Sequence, residues 1–293
     1  MATTTNFAAT GATAGTGAPV SFAGVALAEP AVMGILNVTP DSFSDGGNLP
    51  DAASAIATGL AMREAGAVFL DVGGESTRPG SEPVPVAEEL RRVVPVVRGL
   101  AAAGAIVSID TRHAAVMHAA IEAGARIVND VTALGGDPES LAAVADSDVS
   151  VVLMHMQGDP KTMQRDPRYD DVVREVRDFL AARIAACEAA GIARHRIAVD
   201  PGIGFGKTLA HNLGLLHGLD ALRALGCPIL IGVSRKSFIA HSAGSAPPKQ
   251  RLGGSLAAAL ASVERGARIV RAHDVAETAQ ALRIWNAIAG ARG

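Results

Sequence analysis

Aromatic residues are scarce in this chain of 293 residues, where Phe, Trp and Tyr together make up 3% of the sequence. So few rings leave little surface on which nucleic-acid bases could stack. Basic residues are not in excess either, because 26 Lys and Arg face 29 Asp and Glu. A protein that binds many nucleic-acid phosphates needs a surplus of basic side chains. The composition therefore predicts that no nucleic acid is a partner.

Cysteine is equally scarce, with only Cys187 and Cys227. They have neither the CxxC spacing of a metal site nor the density of a disulfide scaffold, which favours a cytoplasmic setting. No stretch reaches the roughly 18 consecutive apolar residues of a membrane span. The N-terminal segment also lacks the basic start and unbroken apolar run of a secretory signal. We therefore predict a cytoplasmic protein with no membrane partner.

Charged residues are missing altogether from residues 1–28, which are rich in Ala, Thr and Gly. A segment of this composition has little with which to build a core, so we predict a disordered N-terminal extension over 1–28. The remaining residues, 29–293, are half apolar in character and long enough for one α/β barrel. We predict that they form a single domain.

Short apolar runs alternate with longer segments of helical period from Val32 onward. The eight runs occupy residues 32–36, 67–72, 105–110, 126–130, 150–155, 196–200, 228–234 and 268–274. Runs without polar alternation suit strands that are covered on both faces, and intervening helices imply parallel pairing. Eight such units predict an α/β fold of the (β/α)8 TIM-barrel type.

Polar side chains end every one of these runs. They are Asn37, Asp71, Asp110, Asn129 with Asp130, His155, Asp200, Ser234 with Arg235 and Lys236, and Arg271 with His273 and Asp274. In a barrel the carboxyl ends of all strands open on one face, so these residues should surround one pocket. Any single Asp or Asn could instead cap the next helix. Eight together favour a functional site.

Three long motifs carry a specific resemblance: GILNVTPDSFSDGG at 34–47, DPGIGFGKT at 200–208 and GVSRKSFI at 232–239. With DVGGESTRPG, SIDT, NDV, LMHMQGDPKTMQ and RAHDV between and after them, they resemble the dihydropteroate synthases of the pterin-binding barrel family. The likeness runs from Val32 to about Ile288. DPGIGFGKT is not a Walker A loop, because Pro201 stands where that loop requires Gly.

The resemblance implies an enzyme that condenses 6-hydroxymethyl-7,8-dihydropterin pyrophosphate with 4-aminobenzoate, giving 7,8-dihydropteroate and pyrophosphate. It implies pterin binding by Asp110, Asn129, Met154, Asp200, Phe205 and Lys236, with Ile203 as a further apolar wall. It implies pyrophosphate binding by Asn37, Arg271 and His273, with Mg²⁺ held at Asn37. The implied aminobenzoate residues are Phe43, Thr77, Arg78, Pro79 and Ser237. Catalysis is expected from Asp110, Asp200, Lys236, Arg271 and His273.

Other functions remain open at this point. A pterin-binding barrel could transfer a methyl group from folate, although that reaction gives no reason for the STRPG and SRKSF loops. A non-catalytic paralogue could bind pterin without turnover, and a sugar-phosphate barrel enzyme would need a Lys or Glu base at a strand end. The resemblance further implies sensitivity to sulfonamide drugs. It also implies a homodimer, formed through Ala-rich helices near 254–263 and 278–289.

Overall fold

The structure is a computed structural model that describes residues 20–39, 52–75, 83–159 and 162–291. It begins with a two-stranded antiparallel hairpin, β1 (Ser21–Phe22) and β2 (Val25–Ala26). Eight parallel strands follow and close into a barrel in sequence order. They are β3 (Ala31–Asn37), β4 (Ala67–Gly73), β5 (Ile106–Asp110), β6 (Ile127–Asp130), β7 (Ser150–Met154), β8 (Ile197–Asp200), β9 (Ile229–Gly232) and β10 (Ala267–Ala272). The predicted TIM barrel is confirmed, with each strand within two residues of its predicted limits.

Helices cover the outside of the barrel. They are α1 (Ala52–Glu64), α2 (Val86–Ala102), α3 (Ala114–Glu122), α4 (Ser140–Ala145), α5 (Val172–Ala189), α6 (Leu209–His217), α7 (Ser237–Ala243), α8 (Leu252–Glu264) and α9 (Val275–Gly290). Short 3-10 helices occupy Arg194–Arg196, Leu219–Leu225 and Pro248–Gln250. Within the described ranges, no helix combines the length and the apolar character needed to cross a membrane.

The hairpin corrects part of the predicted disorder. Residues 20–28 are folded, and Phe22 and Leu27 are fully buried at the amino-terminal end of the barrel. Ala23 and Gly24 both have positive φ, which is the geometry of a two-residue turn that matches the twist of a hairpin. The apolar residues around that turn offset the cost of ordering it, so the predicted boundary at residue 28 is too late. Residues 1–19 lie outside the described residues, and their disorder stays a prediction.

The barrel interior has two layers of different chemistry. The lower layer is apolar and contains Met33, Phe69, Ile127, Val152, Ala198, Leu230 and Ile269. Side chains two residues apart on a strand share a face, so the residue two positions after each of these also points inward. That spacing places Asp71 above Phe69, Asn129 above Ile127 and Asp200 above Ala198. The strand period therefore delivers the predicted polar residues to the barrel mouth.

Candidate active site

One arginine joins two buried carboxylates at the carboxyl ends of the strands. Nε of Arg271 donates to Oδ2 of Asp71 and Nη2 donates to Oδ2 of Asp110, each at 2.6 Å. Nδ2 of Asn129 donates to the same Asp71 oxygen at 3.0 Å. The three partners of this network lie on β4, β5 and β6, next to one another, while Arg271 lies one residue before the end of the last strand. The barrel thus gathers side chains that are up to 200 residues apart in the chain.

The electrostatics of this network follow from its burial. Burial raises the pKa of Asp110 to about 7, with the Arg271 cation opposing the rise and the Asp71 carboxylate adding to it. Burial alone would lower the pKa of Arg271, but the carboxylates of Asp71 and Asp110 outweigh it and raise the value above the ordinary one. Arg271 is therefore a permanent cation, whereas Asp110 changes charge near neutral pH.

Asp200 forms a second acidic position at the end of β8. Its Oδ1 accepts the backbone N–H of Gly202 at 2.7 Å, and Met154 stands beside it in the strand register. Burial raises the pKa of Asp200, although the Gly202 N–H and the cation of Lys236 both lower it. Gly202 has a φ of +68, and a Cβ there would lie 1.9 Å from the carbonyl oxygen of His155. Only glycine fits this close approach.

Lys236 follows β9 and lies near the loop after β8. Its Nζ is 4.1 Å from the centroid of the Phe205 ring, a cation–π distance. The preceding residue, Arg235, has a φ of +60, which is strained for a non-glycine residue. Its guanidinium forms an ion pair with Asp274, and its backbone N–H donates to Oγ of Ser255 at 2.9 Å. These contacts hold the turn that presents Lys236.

His273 is fixed by the end of the neighbouring strand. Its Nδ1 lies 3.0 Å from Oγ of Ser234, and its backbone N–H donates to the same hydroxyl at 3.2 Å. Ser234 follows β9 and His273 follows β10, which are paired strands. Asn37 ends β3, the other neighbour of β10, and its side chain is half-buried. The predicted pyrophosphate residues therefore occupy adjacent strand ends.

Comparisons with known proteins agree with this geometry. The sequence profile of the family described as pterin binding enzymes matches residues 33–273. The dihydropteroate synthase of Escherichia coli is 48% identical over 267 residues, which cover 91% of this chain and 94% of that protein. The chain belongs to the dihydropteroate synthase family. The resemblance inferred from the motifs is confirmed.

Solved structures of the dihydropteroate synthase family share the fold. The Xanthomonas albilineans enzyme with 4-aminobenzoic acid is 52% identical, with a TM-score of 0.85 over 90% of this chain and 95% of that one. The same enzyme in complex with 7,8-dihydropteroate is 50% identical, with a TM-score of 0.82 over the same shares. The Yersinia pestis enzyme in a sulfonamide drug complex is 47% identical, with a TM-score of 0.86 over 91% and 96%.

The aminobenzoate residues implied by the family are mostly beyond the described part of the chain. Phe43, Thr77, Arg78 and Pro79 lie outside the described residues. Ser237 is described, and it is exposed at the first position of α7, directly after Lys236. The assignment of all five to aminobenzoate stays a prediction.

Two buried residues have roles that the sequence did not predict. Asp71 was noted only as a strand end, yet it is the shared partner of Arg271 and Asn129. Lys207 is only 3% exposed, and its Nζ donates to the carbonyl oxygens of Phe205 and His155 at 2.9 and 3.3 Å. Burial lowers the pKa of Lys207 to about 7. Its amine braces the loop after β8 against the end of β7, which is a structural use unlike that of a Walker A lysine.

Metal-ligating side chains were predicted only at Asn37. An amide oxygen at the barrel mouth suits Mg²⁺, which takes oxygen ligands and keeps several waters. A possible acidic metal site also exists elsewhere, because ligand atoms of Glu75, Glu89 and His113 lie within 4.8 Å of one another. The sequence signal for this group was weak, since the three residues come from three different segments.

Proposed function

We propose that this chain condenses 6-hydroxymethyl-7,8-dihydropterin pyrophosphate with 4-aminobenzoate and releases pyrophosphate. The observation that carries the proposal is the network of Arg271 with Asp71, Asp110 and Asn129 at the barrel mouth. Relatives with about half of their residues in common have been solved with 4-aminobenzoic acid and with 7,8-dihydropteroate. These are a substrate and the product of the condensation, which makes the chain a transferase of folate biosynthesis.

Pterin recognition would use the buried polar groups. A pterin edge presents N–H donors, and Oδ2 of Asp200 remains as an acceptor because Gly202 engages only Oδ1. Asp110 and Asn129 are register neighbours and would pair with further ring nitrogens. Lys236 would donate to the ring, with Met154, Ile203 and Phe205 as apolar walls. Buried hydrogen bonds to charged groups contribute about 1.5–3 kcal/mol each, so a few suffice to hold a neutral ring.

The charge balance of the mouth favours a cationic intermediate. Asp71, Asp110 and Asp200 place three carboxyl groups at the mouth, where Arg271 and Lys236 are the cations and the buried amine of Lys207 lies near Asp200. When the bond from the pterin methylene carbon to the pyrophosphate oxygen breaks, the carbon is left electron-poor and its charge spreads over the ring. Fixed carboxylates stabilise that charge without reorganisation. The amine nitrogen of 4-aminobenzoate then forms a bond to the carbon and releases a proton to water, and no covalent enzyme intermediate is required.

Positively charged groups and hydrogen-bond donors would stabilise the departing pyrophosphate. Two nitrogens of Arg271 are bonded to carboxylates, which leaves Nη1 as a donor for a phosphate oxygen. His273, held by Ser234, would supply a second donor. Asn37 would hold Mg²⁺ through its amide oxygen. Bound Mg²⁺ supplies positive charge to the phosphate oxygens and lowers the cost of their departure.

The test is a pyrophosphate-release assay on the purified chain, with each substrate omitted in turn and with Mg²⁺ removed by a chelator. Release should require the pterin pyrophosphate, the amine and Mg²⁺ together, and a sulfonamide should compete with 4-aminobenzoate. Arg271→Lys should lose most turnover, because one ammonium group cannot replace a planar guanidinium that donates to two carboxylates. Arg265→Lys on the surface is the matched control. Binding of pterin without any release would instead identify a non-catalytic paralogue.

We also propose that the chain works as a cytoplasmic homodimer. Its helix α9 presents two large apolar side chains, Ile284 and Ile288, which are 59% and 60% exposed. Its two cysteines are free and buried, which suits a reducing compartment. Sedimentation of an Ile284→Glu and Ile288→Glu double variant should give a monomer, whereas Leu213→Glu on the exposed face of α6 should leave the dimer intact. A monomeric parent chain would contradict the proposal.

A further inference from the structure

We propose that Glu75, Glu89 and His113 form a binding site for a divalent transition-metal cation, separate from the Mg²⁺ expected at Asn37. Each of the three offers a ligand atom, and these atoms lie within 4.8 Å of one another. Two carboxylates and one imidazole are a common ligand set for such cations. This inference is independent of the proposed condensation.

The fold brings the three side chains together from three elements. Glu75 lies two residues beyond the end of β4, and Glu89 lies in the first turn of α2. His113 is the residue before α3, where it does not cap the helix with its side chain. Because α2 packs on both β4 and α3, the cluster occupies a junction between packed elements. The ligand positions are therefore held by the scaffold.

Two unsatisfied oxygens are the observation that points to a ligand. The side chains of Glu75 and Glu89 are 10% and 1% exposed. Oε2 of Glu75 and Oε1 of Glu89 are buried and have no hydrogen-bond partner in the described part of the chain. Leaving a buried charged oxygen unpaired costs free energy, because its hydration is lost without replacement. A cation bound in the cluster would supply a positive partner for both carboxylates.

The other oxygen of each carboxylate is already engaged. Oε1 of Glu75 accepts from Nη2 of Arg112 at 3.0 Å, and Oε2 of Glu89 lies 2.7 Å from Nδ1 of His113. Two ionised carboxylates against the single cation of Arg112 leave one negative charge in excess. That excess favours a divalent cation over a neutral ligand. The contact between Glu89 and His113 keeps the imidazole next to the carboxylate with which it would share the cation.

The imidazole favours a first-row transition metal over Mg²⁺. Mg²⁺ prefers an octahedron of oxygens and keeps its waters, whereas Zn²⁺ accepts nitrogen and oxygen at roughly 2.0–2.2 Å in a tetrahedron. Ligand atoms in such a tetrahedron are about 3.4 Å apart, so the present separation must contract by rotation of the Glu side chains. His113 is 23% exposed, which leaves a path for the cation and room for a water as fourth ligand. We take Zn²⁺ as the favoured occupant.

Occupation of the site would have a local consequence. Glu75 directly precedes residues 76–82, which include the predicted aminobenzoate residues Thr77, Arg78 and Pro79. A cation that joins Glu75 to Glu89 and His113 would anchor the start of that segment to α2 and α3.

The experiment titrates the chelator-treated full chain with Zn²⁺ by calorimetry and with Co²⁺ by visible absorption, with no pterin or pyrophosphate present. One equivalent should bind, with the intense visible bands of tetrahedral Co²⁺. His113→Asn keeps a donor for Glu89 but loses the imidazole, and Glu75→Gln loses a charged ligand. Each should weaken binding by at least about tenfold, since even outer partners of a ligand contribute that much. His118→Ala, which removes an exposed histidine of α3, is the matched control and should bind normally.

Two results would overturn the site. The first is an absence of saturable Zn²⁺ or Co²⁺ binding by the parent chain, which would leave Glu89 and His113 as a simple hydrogen-bonded pair. The second is equal binding by His113→Asn or Glu75→Gln and the parent, which would place the cation elsewhere. Circular dichroism of both variants verifies the fold, and Glu75→Gln carries the test alone should His113→Asn fail to fold. Neither result bears on pyrophosphate release.

Discussion

The two ends of the barrel interior are built from the same strands but have opposite roles. The amino-terminal end is closed by Phe22 of the hairpin, whose ring meets Phe69 edge to face with centroids 6.0 Å apart. The carboxyl end, two residues further along β4, holds Asp71 in an ion pair with Arg271. One end removes apolar surface from water and stabilises the fold. The other keeps charges buried at a cost that only their pairing and their chemistry offset.

This contrast predicts that stability and catalysis depend on different residues of the same strands. Substitutions in the apolar layer should lower the free energy of unfolding and leave the chemistry of folded molecules alone. Substitutions at the mouth should do the reverse, because active sites carry charge arrangements that are not the most stable ones available. The following changes test that division, from the largest expected effect to the smallest.

Phe22→Ala should produce the largest loss of stability. It removes a buried ring from the apolar layer, and buried Phe→Ala changes cost about 3–5 kcal/mol. Urea unfolding should register the loss, while kcat corrected for the folded fraction should be unchanged. Val20→Ala, at an exposed position of the same segment, should stay within about 0.5 kcal/mol of the parent. A large fall in kcat with normal stability would reverse the assignment of the two ends.

Asp110→Asn should have the largest effect on catalysis. Loss of one preorganised charge from a transition state typically lowers kcat about 10²–10³-fold. The unfolding free energy should change much less, because Asp71 still pairs with Arg271. Unaltered turnover in this variant would remove the electrostatic role of Asp110.

The pH dependence of the parent sharpens the same test. Burial raises the pKa of Asp110 to about 7, so its carboxylate is protonated below that pH and charged above it. Turnover should therefore rise as pH increases through about 7, since only the charged form stabilises the pterin cation. A pH–rate profile of Asp110→Asn should lack this limb.

Lys207→Met should lower stability by an intermediate amount. It leaves the carbonyl oxygens of Phe205 and His155 without their donor, at a cost of about 1–3 kcal/mol. Because burial lowers the pKa of Lys207 to about 7, protonation is harder in the folded chain than in the unfolded one. The lysine therefore contributes most above its unfolded pKa, and its contribution declines as pH falls toward 7. Unfolding free energies of parent and variant should converge on going from pH 10 to pH 7.

Ser234→Ala should give the smallest effect of the series. The change frees the imidazole of His273 and removes the acceptor for its backbone N–H. A single neutral hydrogen bond contributes about 0.5–1.5 kcal/mol, so KM for the pterin pyrophosphate should rise severalfold at most. Ser262→Ala, which removes a buried hydroxyl of α8 that donates to the carbonyl oxygen of Ala258 in the same helix, is the control. Equal changes in both variants would reduce Ser234 to a packing residue.

The barrel and its polar rim could be predicted because short stretches of sequence indicate both of them. An uninterrupted apolar run identifies a strand, and the polar residue at its end, such as Asp110 or Asp200, points to the mouth. The hairpin was missed because residues 1–28 have no charge and were treated as one featureless segment. The Ala-Gly pair between Phe22 and Val25 was the available signal.

Partners distant in sequence could not be predicted from patterns of that kind. The pairing of Asp71 with Arg271, the burial of Lys207 and the contact of Glu89 with His113 depend on which elements the packing brings together. The residues that make these contacts are not separated by a helix or strand repeat, so no sequence pattern links them. For Phe43 and the residues at 77–79, which lie outside the described ranges, the family likeness is still the only guide.

Closure of the barrel also determines when, during synthesis, the chain can form the ion pairs at its mouth. Asp71 and Asp110 leave the ribosome long before Arg271, which arrives on the last strand and beside the first. Until then the two acids lack the guanidinium that joins them, and their mutual repulsion opposes burial. Synthesis must reach the final strand before the acidic mouth can close, so a chain released early should be unable to assemble the network around Arg271.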